Sequence, residues 1–344
     1  MKKLYQSEKW KRYSEKRSRK NLRRKSKKKR AKGQHSFHPA QYKSSYKYIK
    51  RGKDRVEIKA PKEFSLINNP DETLEFFKAI DEKIERKENI YIDLALVENL
   101  TTDAILYMLS RMEFRKVSHS TSNISGNVPK SEECNKIFET SGFYKFVYSN
   151  KFDMVSDPKV YSITTDTIVW PEKAKEAKVF TLKCLGKKES NDAKKIYEII
   201  IECMTNAKQH AYASSNKFAK WWLMASFQER QSKVCFTFMD NGYGIPKTLR
   251  KRMHEPLIEL AKKTFRSSID ADLIFSALEG DFLRTKTGER YRGKGLPKIY
   301  ETFRNDKIVN LKVISRRGYV DCSKGHKKSL RKPFHGTLLS WEFV

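Results

Sequence analysis

The sequence predicts a mixed α/β protein behind a basic arm, and three observations carry that prediction. Apolar strands alternate with amphipathic helices between residues 55 and 165, the pattern of a small α/β domain with parallel pairing. From residue 175 to 344 a long amphipathic helix precedes strands of alternating polarity and glycine-rich turns, which fits an α/β sandwich. Residues 1–50 fit neither pattern. They hold 20 Lys/Arg against 2 Asp/Glu, or +18 of the +32 carried by all 344 residues. Like charges at that density repel one another, so the arm is expected to stay disordered until a polyanion neutralises it.

The arm runs through Trp10-Lys-Arg-Tyr13 and Arg23-Arg-Lys-Ser-Lys-Lys-Lys-Arg30, with further aromatics at Tyr5, Tyr42, Tyr46 and Tyr48. Basic groups contact phosphates and interleaved rings stack on bases, so nucleic acid is the expected partner. A basic helix pinned to the protein's own surface by Tyr5, Trp10 and Tyr13 is the other reading. No apolar run follows the arm, so it does not read as a secretory signal, and no stretch approaches a membrane span. The five cysteines are scattered without a CxxC pair, which fits a reducing compartment. The chain is therefore expected to be cytoplasmic.

Taken in order, Glu57 to Ile67 reads as one or two short strands. Asn69-Pro70-Asp71-Glu72 starts a helix with an apolar stripe at Leu74, Phe77, Ile80 and Ile84. Asn89 to Val97 reads as a buried strand, and Thr101-Thr102-Asp103 caps a second helix. A polar stretch from Ser118 to Lys130 leads to a helix from Ser131 that closes at Gly142. Residues 150–180 read as a connector with a strand-like segment at Val160. Asn191-Asp192 then opens a helix with apolar Ile196, Ile200, Cys203 and Ala207. Phe218–Phe227 and Lys233–Met239 read as paired strands.

Four short motifs punctuate this second half. Glu202, Asn206 and His210 stand four apart, so they share a polar stripe of one helix. A carboxylate and an amide one turn apart can together order a water and a hard cation. A second motif, Asp240-Asn-Gly242-Tyr-Gly244, puts a carboxylate at a strand end beside glycines that let a flat ring approach the backbone. In the third, Arg292-Gly293-Lys294-Gly295, a glycine-rich helix start offers amides and positive charge to phosphate. His335-Gly336-Thr337 is the fourth. Residues 247–291 make a long lid, with a basic amphipathic segment at 249–265 and an added helix from Asp270.

Together these motifs resemble the asparagine box and three glycine boxes of the GHKL ATPases, the Bergerat-fold superfamily of gyrase, MutL and histidine kinases. Glu-x3-Asn-Ala-x2-His is most similar to the anti-sigma serine kinases. The resemblance covers about residues 175–344 and implies ATP and Mg²⁺ as ligands. It makes Glu202 the general base and Asn206 the Mg²⁺ ligand. Asp240 would read the adenine amine, with Thr337 helping through a water, and Gly242 and Gly244 would admit the ring. Arg292, Gly293, Lys294 and Gly295 would hold the phosphates under the lid, while His210 packs on the pocket wall or touches nucleotide. The sequence stops at Val344, so no transducer domain of the gyrase type is expected.

Residues 55–165 resemble a STAS domain. Ile92-Asp93-Leu-Ala-Leu-Val-Glu-Asn-Leu-Thr-Thr matches its strand–turn–helix, and Ile137-Phe-Glu-Thr-Ser-Gly142-Phe its later helix end. The family's Asp-Ser-Ser-Gly turn is replaced here by Thr101-Thr102-Asp103-Ala104, so Thr102 is either a phosphoacceptor or a helix cap. The implied role is docking of a protein partner or a second copy. The whole then reads as a Mg·ATP-driven regulatory switch on a nucleic-acid complex, an arrangement that would suit antiviral defence in bacteria. A protein serine/threonine kinase of the anti-sigma type and a non-hydrolysing nucleotide sensor are the alternatives.

Overall fold

The computed structural model describes residues 55–117, 122–147, 155–210, 220–252, 269–280 and 295–344. The basic arm, residues 253–268 and 281–291 of the lid, and Arg292, Gly293 and Lys294 lie outside the described residues. The architecture is mixed α/β, as the sequence predicts. Among the described residues no helix is long and apolar enough to cross a membrane.

The first layer holds two small parallel sheets. β1 (Arg55–Lys59), β3 (Asn89–Asp93) and β5 (Ile124–Gly126) form one, with β3 central, and β2 (Glu63–Phe64) pairs β4 (Asn99–Leu100) in the other. β3 is shorter than its apolar run because polar side chains end it. Asp93 Oδ1 accepts the Ala95 N–H at 3.0 Å, and Asn127 Oδ1 takes the Leu94 N–H at 2.6 Å. β5 lies inside the stretch expected to be polar loop. It is only three residues long, and its anchors are polar: Asn127 Nδ2 donates to Asp93 Oδ1 at 2.6 Å.

Helices α1 (Pro70–Glu85), α2 (Thr102–Val117), α3 (Glu132–Ser141) and α4 (Phe143–Val147) complete this layer. Pro70 stands in the first turn of α1, with Asp71 and Glu72 beside it. Ser131 caps α3 by accepting the Cys134 N–H, and Gly142 ends it at φ +82°, where a side chain would be strained.

The second layer is one antiparallel sheet in the order β6-β7-β8-β10-β9: β6 (Val160–Asp166), β7 (Trp221–Gln228), β8 (Lys233–Asp240), β10 (His326–Phe343) and β9 (Val309–Asp321). β6 thus belongs to this sheet, pairing with β7. Helices α5 (Pro171–Leu185), α6 (Asn191–His210), α7 (Ile245–Arg252), α8 (Ile269–Glu279) and α9 (Gly295–Arg304) form the third layer. α5 occupies the second half of the expected connector, from Pro171 in its first turn to Gly186 at φ +63°.

The sheet is buried on both faces, and alternation along each strand divides them. Trp221, Leu223, Phe236, Phe238 and Trp341 face the helices of the third layer. Trp222, Met224, Met239, Phe334 and Leu338 pack with α1 and α2 of the first layer in a single core. Phe236 stacks on Trp341 at 5.2 Å and 4°, which fixes β8 against β10. β9 and β10 are the longest strands, yet bulges between Ser329 and Phe334, and again before Thr337, break their period of two.

Candidate functional site

Within the large sheet, β7 begins and β8 ends beside the interior of β10. Asp240, the last residue of β8, lies opposite Trp221 at the start of β7 and Thr337 of β10. Only 7% of Asp240 is exposed, and burial raises its pKa from 3.8 to about 7. The Gly242 N–H, 2.7 Å from Oδ1, and the Thr337 backbone and hydroxyl partly oppose that rise. Two glycines let the strand ends meet. A Cβ on Gly336, at φ +112°, would stand 1.9 Å from the Asp240 carbonyl oxygen, and one on Gly244, at φ +83°, would stand 2.7 Å from Ser315 Oγ.

Ser315 carries no sequence signal but ties this corner together. Its hydroxyl donates to the Gly336 carbonyl at 2.9 Å, accepts the Ile245 N–H at 2.9 Å and lies 3.3 Å from Thr337 Oγ1. The turn after Asp240, α7 and β10 are thereby held by one side chain. From the opposite face, Tyr107 of α2 accepts the His335 N–H at 3.2 Å and stacks on Phe334 at 4.5 Å.

α6 supplies the second half of the site. Its apolar residues Ile196, Ile200, Cys203 and Ala207 are buried against the sheet, which turns Glu202 and Asn206 toward the start of α9. The approach is tight. A Cβ at Gly295 would lie 2.8 Å from Asn206 Nδ2, 2.9 Å from Asn206 Oδ1 and 3.0 Å from Glu202 Oε2. Cys203 lies between the two halves: burial first, then the carboxylates of Glu202 and Asp240, push its thiol well above the ordinary range. The structure therefore brings Glu202, Asn206, Gly295, Asp240, Gly242, Gly244 and Thr337 to one region of the fold. The backbone of His210 closes α6, but its side chain lies outside the described residues.

Two charged neighbours escape a motif-based reading. Lys298, in the first turn of α9, places Nζ 3.3 Å from Glu202 Oε1 and 3.5 Å from Glu198 Oε2. Glu198 extends the stripe of Glu202 and Asn206 one turn toward the helix start, which is the signal that could have found it.

The donor set admits a hard cation. Among the described residues, the buried Asn206 Nδ2 has no hydrogen-bond partner, so that donor is left unmatched. Mg²⁺ takes few protein oxygens and completes its shell with phosphate and water, so one amide oxygen beside a carboxylate suffices. Among the described residues no cluster of three His, Cys, Asp or Glu side chains could hold a metal by itself. The chain matches no known protein-family model and no curated protein.

Proposed function

We propose that the chain binds Mg·ATP at these residues and hydrolyses it, with the GHKL resemblance of residues 175–344 as its rationale. The observation that carries the proposal is the pairing of two sites. A buried acceptor, Asp240 backed by Thr337, lies at one end, and Glu202 and Asn206 press against a glycine helix start at the other. A nucleotide asks for both ends: an acceptor for the exocyclic amine of its base, and amides, cation and a proton acceptor for its phosphates.

In this reading Glu202 takes a proton from the water whose oxygen attacks the terminal phosphorus. The bond from that phosphorus to the bridging oxygen breaks, leaving ADP and inorganic phosphate. Asn206 would hold Mg²⁺, which neutralises phosphate oxygens when bound. The first layer would serve as the regulatory docking face of a switch in the cytoplasm, and the basic arm as its nucleic-acid anchor.

Purified protein should bind Mg·ATP and release phosphate. Glu202→Ala should reduce turnover by about 10²–10⁴ while sparing binding, the range for loss of a general base. Label from γ-labelled ATP appearing on a protein hydroxyl would convert the reading to a kinase. Binding with full downstream function in Glu202→Ala would leave a nucleotide sensor. No binding at all would end the proposal.

A further inference from the structure

Lys298 does more than neutralise a neighbour. It comes three residues after Gly295, and its ammonium reaches back to α6 between Glu198 and Glu202. Lys195 holds the same Glu198 oxygen from the other side, at 3.0 Å. Burial opposes ionisation of Glu198, but the hydrogen bond from Lys195 and the charge of Lys298 outweigh it and lower its pKa. Glu198 is thus a fixed anion, and Lys298 is anchored on it one helical turn away from Glu202.

The two oxygens of Glu202 have different surroundings. Oε1 meets Lys298 at 3.3 Å, whereas Oε2 faces the contact between Gly295 and Asn206. A glutamate on an open helix face samples several rotamers, and a cation held beside one oxygen favours the rotamer that meets it. The Lys298 side chain is 41% exposed and that of Glu202 26%, so solvent screens the attraction and the pair adds little stability. Orientation is what it supplies.

We propose that Lys298, anchored by Glu198, is a positioning residue that aims Glu202 Oε2 at the attacking water. This inference rests on the ATP-hydrolysis reading of the site. It assigns work to two side chains outside the four motifs. A proton acceptor misaligned by about 1 Å can cost two orders of magnitude in rate, so the effect belongs in kcat rather than in binding.

The test compares Lys298→Met, Lys298→Arg and Glu198→Gln with wild type in Mg·ATP binding and steady-state hydrolysis. Lys298→Met should lower kcat about 10- to 100-fold, with the dissociation constant for Mg·ATP unchanged within about threefold. Lys298→Arg should recover most of the rate, and Glu198→Gln should show a weaker form of the same defect. In a Glu202→Gln background, Lys298→Met should cost nothing further. Unchanged kcat in Lys298→Met would overturn the inference while leaving the ATPase reading intact. So would a defect confined to binding, which marks a phosphate contact, or full additivity with Glu202→Gln. If Lys298→Met fails to fold, the Arg and Gln variants carry the same comparison. A wild type without turnover overturns both the inference and the reading beneath it.

Discussion

Asp240 is a buried carboxyl whose effects on stability and on the proposed nucleotide binding should respond oppositely to pH. Its pKa is 3.8 in the unfolded chain and about 7 in the folded one, so folding favours the protonated form. That contribution is complete below pH 4 and is lost as the pH rises through 7. Accepting a hydrogen bond from an adenine amine runs the other way, because the ionised carboxylate is the stronger acceptor. Between pH 5 and 8 the melting temperature of the unliganded protein should fall relative to Asp240→Asn, while Mg·ATP affinity should rise. Calorimetric titration and thermal melts at matched pH values check both trends, and parallel slopes in wild type and Asp240→Asn would refute them. Asp240→Asn should also weaken ATP binding about 10- to 100-fold, the worth of a hydrogen bond to a charged group. Gly336 is the steric counterpart. Its missing Cβ would stand 1.9 Å from the Asp240 carbonyl oxygen, so Gly336→Ala must push β10 off β8. A loss of about 2–4 kcal/mol in denaturant unfolding is expected, whereas an alanine variant of ordinary stability would show that the strand ends yield easily.

At the scale of elements, what the sequence revealed and what it hid follow from the kind of force that holds each piece. Helices α1, α3 and α6 are legible in the sequence because apolar spacing agrees with Pro70 at the start of α1, Ser131 and Gly142 at the two ends of α3, and Asn191-Asp192 at the start of α6. The paired strands β7 and β8 were legible from alternation, and Asp240 from its place at the end of β8. β5 was hidden because asparagine side chains hold it, and β9 and β10 because bulges scramble their alternation. Motif spacing named Glu202, Asn206 and Gly295, and the same four-residue stripe of α6 also holds Glu198, but no local pattern names Ser315 or Lys298. Those two reach the site only through tertiary packing. Thr102 shows the same limit. α2 begins at Thr102, and its Oγ1 lies 2.7 Å from Thr237 Oγ1, on the side of β8 facing the first layer. A phosphate there would force a dianion between α2 and the sheet. Thr102→Ala should therefore cost about 1 kcal/mol and Thr102→Glu about 3 or more, by denaturant titration. If Thr102→Glu matches Thr102→Ala in stability, the hydroxyl is accessible enough to be a phosphoacceptor after all.

For the molecule as a whole, the decisive feature is that the first layer and one face of the large sheet share a core. Phe64, Leu74, Phe77 and Tyr107 from the first layer are buried in the same cluster as Trp222, Met239, Phe334 and Leu338 from the large sheet. Polar ties cross the same boundary: Tyr319 donates to the Ile67 carbonyl at 3.0 Å, and Lys220 meets Glu113 at 2.9 Å. Residues 52–344 form one compact unit, and β6 carries the chain from the first layer into the edge of the large sheet. Removing the first layer would strip Trp222, Phe334 and Leu338 of their cover at one stroke. Each such side chain is worth about 1.5–3 kcal/mol when buried, so losing several is comparable with the 5–15 kcal/mol by which a domain is ordinarily stable. The protein should therefore unfold in one transition over this span, with fluorescence and far-UV circular dichroism coincident. A fragment of residues 175–344 alone should aggregate or remain unfolded. It also lacks Tyr107, whose phenol oxygen accepts the His335 N–H beside Gly336 and Thr337, so this packing reaches the candidate nucleotide site directly. Tyr107→Phe should leave one transition in place but weaken Mg·ATP binding about 3- to 10-fold, as expected for loss of one hydrogen bond. Two separate melting transitions, or a soluble fragment that binds ATP as well as the whole chain, would show that the first layer is an appendage rather than part of the site's foundation.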